Sequence, residues 1–203
     1  MTRSLVVVSA GLRQPSSTRL LADRLAQASD EQLQLRGEQS RVAHVELRDL
    51  GHDMVNQMIT GYPSEALEEA QNQVTRADGL IAVTPTFTGS YNGLFKMFFD
   101  VLDNTALVDK PVLIAATGGT ARHSLVLEHA LRPLFSYLHA AVVPTTVFAA
   151  PEDWGNIEAS GASLMRRVER AAVEMAREVQ RREAPIVADP YQDVNFDRLL
   201  NAD

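Results

Sequence analysis

Cysteine is absent from all 203 residues, which removes disulfides, thiolate metal sites and thiol nucleophiles together and fits a reducing compartment. Positive charge is scarce as well: 19 Lys and Arg face 26 Asp and Glu, a formal net charge of −7. Nucleic-acid binders and proteins of anionic membrane surfaces need clustered cations, so neither class is expected. No apolar run approaches the length of a bilayer span. The opening MTRSLVVVSAGLR lacks the long apolar core and small-residue cleavage site of a signal peptide, and a cytoplasmic location is expected. The five histidines, 44, 52, 123, 129 and 139, show no metal-ligand spacing, and His44 with Glu46 reads as a solvated strand edge, so no metal site is expected. The phosphate-loop pattern GxxxxGK[ST] and the dinucleotide fingerprint GxGxxG are both missing. So are a Ser-His-Asp set and paired carboxylates, and no catalytic side chain is expected.

What remains is an ordinary globular composition, 45% hydrophobic and 22% charged, with alternating element types. Residues 5–10 (LVVVSA), 80–84 (LIAVT) and 111–116 (PVLIAA) are short, dominantly apolar runs, as strands buried on both faces are. Residues 41–47 alternate in polarity like an edge strand, and a last strand is expected near 141–148. Between them lie helical patterns over 16–35, 64–77 (with Ser64 as N-cap) and 93–102, one through Leu125, Leu131, Leu134 and Leu138, and a long amphipathic stretch over 161–182. This alternation predicts an α/β three-layer sandwich, a five-stranded parallel sheet in the order 2-1-3-4-5 with helices on both faces. One domain over 1–183 and a tail over 184–203 account for the length. The tail carries spaced aromatics and leucines, which suit docking on a neighbouring subunit. The 93–102 segment is apolar around most of its circumference, which also points to contact with a second copy.

Ligands of such sheets bind beyond the carboxyl ends of the central strands, and three unusual loops stand there. The first is SAGLRQPSST, Ser9 to Thr18. A helix start offers free amides and a favourable dipole to an anion. Ser16, Ser17 and Thr18 add hydroxyls and Arg13 a guanidinium, although a plain N-cap would use one hydroxyl. The second is PTFTGSYNG, nine residues with almost no charge. Pro85 ends the strand, Phe87 can flank a flat ring, Thr88 and Ser90 are neutral donors, and Gly89 permits close backbone approach. The third is TGGT, Thr117 to Thr120, whose Gly118 and Gly119 read either as a turn or as a backbone wall. An anion cradle beside a neutral polar slot suits a flavin mononucleotide better than a nucleoside triphosphate.

With these three motifs in this order, the chain resembles the NAD(P)H-dependent FMN reductases of the flavodoxin-like fold, over about its first 150 residues. The resemblance implies Arg13, Ser16, Ser17 and Thr18 at the FMN phosphate, with Ser9 leading into that loop. It implies Pro85, Thr86, Phe87, Thr88, Gly89 and Ser90 on one side of the isoalloxazine ring and Thr117, Gly118 and Gly119 on the other. Thr18 stands where asparagine is common, and Thr86 and Phe87 where acidic or tyrosine-type residues are. The implied activity is hydride transfer from NADPH or NADH to flavin N5, with reduced FMN supplied to a partner flavin-dependent monooxygenase and a homodimer or homotetramer as the assembly. Amides of Gly118 and Gly119 are expected to face the charge that grows on the reduced flavin, and Phe87 and Tyr91 to shape the nicotinamide slot. The same loops would serve an FMN-containing quinone, azo-dye or metal-ion reductase. A flavodoxin-like electron carrier, or an interaction module whose glycine loops are only turns, stands as the alternative from another class. EDWGN and the tail fall outside the resemblance.

Overall fold

The computed structural model describes residues 2–155 and 162–183; the proposed tail lies outside the described residues. The valine-rich run becomes β1 (Thr2–Ser9), which pairs in parallel with β2 (Gln39–Glu46) on one side and β3 (Gly79–Phe87) on the other. β3 in turn pairs with β5 (Pro111–Thr117). All of β5 and the first seven residues of β3 are buried, as strands covered on both faces must be. The sheet runs β2-β1-β3-β5-β6, with β6 (Ala141–Val142) and β7 (Val147–Ala149) both parallel to β5.

The α/β flavodoxin-like arrangement agrees with the expectation, but the strand count is seven rather than five. Two local causes account for the difference. Pro144 has no N–H to give a ladder, and the last strand breaks there: Val142 pairs with Val112, and pairing resumes only at Val147 with Ala115. The loop after β3 folds back as the short antiparallel β4 (Ser90–Tyr91).

On one face, α1 (Ser17–Leu35) and α7 (Ala162–Arg181) cover Leu5, Val7, Ile81, Val83 and Leu113. On the other, α3 (Glu65–Arg76) and α4 (Gly93–Asp100) join α5 (Arg132–Tyr137) over Val6, Val8, Leu80 and Ile114. Ser64 caps α3 as expected, its Oγ accepting from Leu67 N at 3.2 Å. Phe95, Phe99 and Phe135 form an edge-to-face cluster with centroids 4.9–6.2 Å apart, which fixes α4 against α5. A short helix, α2 (Gly51–Thr60), has no counterpart in the sequence reading and packs on α4. The expected single helix through 125–138 is instead a 3-10 turn (Ala121–His123), a π segment (Leu127–Leu131) and α5. Pro133 in the first turn of α5 cannot donate backward, and the helix widens just before it. A further short helix, α6 (Glu152–Gly155), follows β7. Among the described residues no helix is long and apolar enough to cross a membrane.

Candidate active site

The three loops meet at the carboxyl ends of β1, β3 and β5. Ala10 N donates to Val83 O (3.0 Å), so the first turn starts against β3. Gly11 is buried where the chain doubles over the start of α1, and a Cβ there would collide with Ser16 Oγ. Ser16 is the N-cap of α1, with Oγ accepting from Arg19 N at 3.2 Å. Ser17 opens the helix and is exposed, as is Arg13 at the turn's outer edge. With its amide oriented by its neighbours, so that Oε1 faces the guanidinium, Gln14 accepts from Nη1 (2.9 Å) and Nη2 of Arg48, which ties the turn to the segment after β2. Thr18 is buried, and its hydroxyl lies 2.8 Å from that of Thr117, across 99 residues of sequence.

The second turn is a hairpin. Thr86 pairs with Tyr91 and Phe87 with Ser90, leaving Thr88 (φ +49°) and Gly89 (φ +80°) as its central pair. Positive φ at both positions is the requirement of a type I′ turn. Gly89 meets the turn's demand for positive φ, and the space around its Cβ position is open. Pro85 is buried, Thr86 and Ser90 are half-buried, and Phe87 is 47% exposed at the hairpin tip. Thr86 Oγ1 and Ser9 Oγ are buried with no hydrogen-bond partner.

The third turn lies beside the second, with Pro85 paired to Thr117 across the sheet. Gly118 N donates to Ala149 O at 3.1 Å, so this amide is already taken, and the expected role for it toward a reduced flavin is corrected. Gly118 is nonetheless required for packing: a Cβ would stand 2.7 Å from Phe148 Cζ and 3.5 Å from Thr86 Oγ1. Gly119 is exposed with open space around it, and His123 is exposed on the 3-10 turn that follows.

Asn92 was not singled out from the sequence, yet it holds the junction. It is 2% exposed; Nδ2 donates to Ala10 O (2.7 Å), and Oδ1 accepts from Phe95 N (2.9 Å) as N-cap of α4. Its own N–H donates to Thr84 Oγ1 (3.2 Å). An asparagine directly before a helical pattern is an N-cap signal, and that signal was available. No Asp or Glu occurs in any of the three stretches, in a chain that has 26. With Arg13, Arg48 and the amino end of the 19-residue α1 on one side, the crevice favours an anion. Farther out, His44 and Glu46 join Arg19 and Asp23 in an ion network, with Arg19 Nη1 2.5 Å from Glu46 Oε1 and His44 Nδ1 3.8 Å from Asp23 Oδ1. Among the described residues no three His, Asp or Glu groups converge as a metal site. A separate open concavity of about 590 Å³ lies at the amino end of the sheet, lined by Thr2, Gln34, Gly37 and Arg41. It is at the wrong strand end for an α/β ligand crevice.

A profile of the family described as NADPH-dependent FMN reductase matches residues 3–155. The FMN reductase (NADPH) of Pseudomonas aeruginosa is 38% identical over 168 residues, 83% of this chain and 88% of that protein. The NADH-dependent FMN reductase SfnE of Pseudomonas putida is 37% identical over 169 residues, with the same coverage of 83% and 88%. The X-ray structure of an oxidoreductase from Corynebacterium diphtheriae superposes with a TM-score of 0.87 at 48% identity, over 90% of this chain and 99% of that one.

Proposed function

We proceed from the finding that this chain belongs to the NADPH-dependent FMN reductase family, and we propose that it is an NAD(P)H:FMN oxidoreductase whose flavin lies in the three-turn crevice. The observation that carries the reading is the junction itself: Thr18 to Thr117 and Asn92 to Ala10 bind three sequence-distant turns into one site. The residues fit the group. The buried Ser9 and Thr86 hydroxyls lie at the strand ends without a hydrogen-bond partner in the protein, as groups that a polar ligand would answer. Bound FMN supplies hydride acceptance from a reduced nicotinamide.

The chain's own residues hold and orient. Arg13 and Ser17, exposed at the amino end of α1, take the phosphate, while Ser16 and Thr18 shape its cradle. Pro85, Thr86, Phe87, Thr88, Gly89 and Ser90 line one side of the ring, and Thr117, Gly118 and Gly119 the other. Phe87 covers the outer face and excludes water there. A homodimer or homotetramer is the proposed assembly, and a flavin-dependent monooxygenase the proposed recipient of the reduced flavin.

Mixing the protein with FMN and each nicotinamide, while following flavin absorbance, tests the activity. Bleaching with turnover is expected. Binding without rapid reduction would mark an electron carrier, and no binding would mark an interaction module. Arg13 is exposed, so Arg13→Ala should leave folding unchanged and weaken FMN binding by about 1.5–3 kcal/mol through loss of a charge-assisted bond. Unaltered affinity removes the phosphate assignment.

A further inference from the structure

EDWGN, which the family resemblance leaves without a role, begins directly behind the third turn. Ala149 O accepts the Gly118 N–H (3.1 Å), and Glu152 Oε1 accepts that of Ala121 (3.3 Å). Both ends of the Gly118–Ala121 turn therefore hang on residues 149–152. That segment is itself held from α7. Asp153 Oδ2 accepts from Ala150 N (2.9 Å), closing a tight turn, and Oδ1 faces Arg167 Nη2 at 3.1 Å. The same Nη2 donates to Phe148 O (3.2 Å), and Nη1 donates to Ser163 Oγ (3.0 Å). One guanidinium thus joins the carbonyl next to the turn's acceptor, the carboxylate that shapes the 150–153 turn, and the helix.

We propose that Arg167 and Asp153 are positioning residues for the third wall of the crevice, setting Gly118–Ala121 through Phe148, Ala149 and Glu152. They touch no ligand, and the proposal rests on the reading of the crevice as the flavin site. The side chain of Asp153 is 14% exposed and that of Arg167 38%, so the carboxylate is well shielded and its charge-assisted bonds outweigh those of an open surface pair. Helix α7 has a separate anchor: Leu164, Val168, Met175 and Val179 are buried against the sheet. Loss of Arg167 therefore releases the turn and leaves the helix docked. Contact across Gly118 transmits the change, because the Phe148 ring occupies the space that a Cβ at this glycine would need. The planar fork of arginine serves carboxylate and carbonyl together, which a lysine does not reproduce.

Amide hydrogen exchange on the FMN-free protein provides a readout separate from activity. In Arg167→Ala and Asp153→Asn, the Gly118 amide should exchange about tenfold faster or more, while the Val6–Val8 amides keep wild-type rates. Arg167→Lys should recover only part of the protection. In flavin titrations Arg167→Ala should weaken FMN about tenfold, with kcat at saturating flavin little changed, because hydride transfer itself belongs to the cofactors. An unchanged Gly118 rate in a folded variant overturns the proposal. So does a uniform rise across the sheet, which is simple destabilisation. If Arg167→Ala does not fold, the Asp153→Asn and Arg167→Lys rates decide. Failure of the wild type to take up FMN defeats the flavin reading instead, and leaves the exchange rates to judge the clamp.

Discussion

Thr18 and Thr117 expose 3% and 4% of their surfaces and share a 2.8 Å hydrogen bond. Removing one hydroxyl leaves the other buried and unanswered, so Thr18→Val should cost about 1–3 kcal/mol in urea unfolding. Thr18→Val with Thr117→Val should recover most of that loss, because two apolar groups of similar shape leave no orphan. Simply additive losses would show that the hydroxyls are not coupled. This pair also marks where reading residues in sequence stops. Ser16, Ser17 and Thr18 form a visible hydroxyl cluster, but nothing local tells that one of the three faces a threonine 99 positions away. His44 carries a second residue-scale prediction. Burial pushes its pKa below the usual 6.5, nearby Arg19 adds to this, and Asp23 and Glu46 oppose it. The folded state then binds the proton less readily than the unfolded chain. Its contribution to stability is complete above pH 6.5 and is lost as pH falls through the depressed value. His44→Gln should flatten the decline of stability between about pH 7 and 5; an identical decline in both proteins assigns it to other groups.

At the scale of the element, the hairpin after β3 holds a contradiction. Its central pair needs positive φ, and the first position is Thr88, a β-branched residue at φ +49°, where such side chains are strained. Thr88→Asn should therefore raise stability by about 1 kcal/mol, asparagine being favoured at that position. A higher denaturation midpoint with an unchanged m-value is the expected result, and a lower midpoint would mean that the threonine hydroxyl supports the turn. Strongly periodic or wholly apolar elements were readable in advance: α1 and α3 through a buried stripe, and β1, β3 and β5 through valine, leucine and alanine runs. Helix α2 was not, for a physical reason. GHDMVNQMIT opens on glycine and aspartate, has no side-chain N-cap and buries only Met54, so nothing marks its start, although Met54, Val55, Met58 and Ile59 do recur at helical spacing. The π segment escaped likewise, since Pro133 widens a helix whose apolar pattern looks continuous. In that region Val126, Leu127, Leu131, Phe135 and Leu138 are the buried set, and Leu125 is 61% exposed.

For the molecule as a whole, the undetected helix changes where a second copy would sit. Sequence periodicity assigned the apolar surplus of residues 93–102 to an intersubunit contact. Within one chain, Phe95, Phe98, Phe99 and Leu102 already enter the core, and α2 packs over Leu94, whose Cδ2 is 3.5 Å from the Cβ position of Gly51. The apolar surface is passed outward to α2 and its end: Val55 is 40% exposed, Met58 54%, Ile59 78% and Tyr62 80%. Four such side chains within eight residues form a patch of the kind that marks an interface rather than scattered exposure. The net charge of −7 works against self-association at low salt, and an apolar contact would have to outweigh it. Ile59→Lys should therefore shift the proposed homo-oligomer toward monomer in sedimentation, with monomer stability changed by no more than about 0.5 kcal/mol, since the site is on the surface. An oligomer unaffected by the lysine would move the contact back to α4 or elsewhere, and a wild type that sediments as a monomer at all salt concentrations would remove the assembly itself.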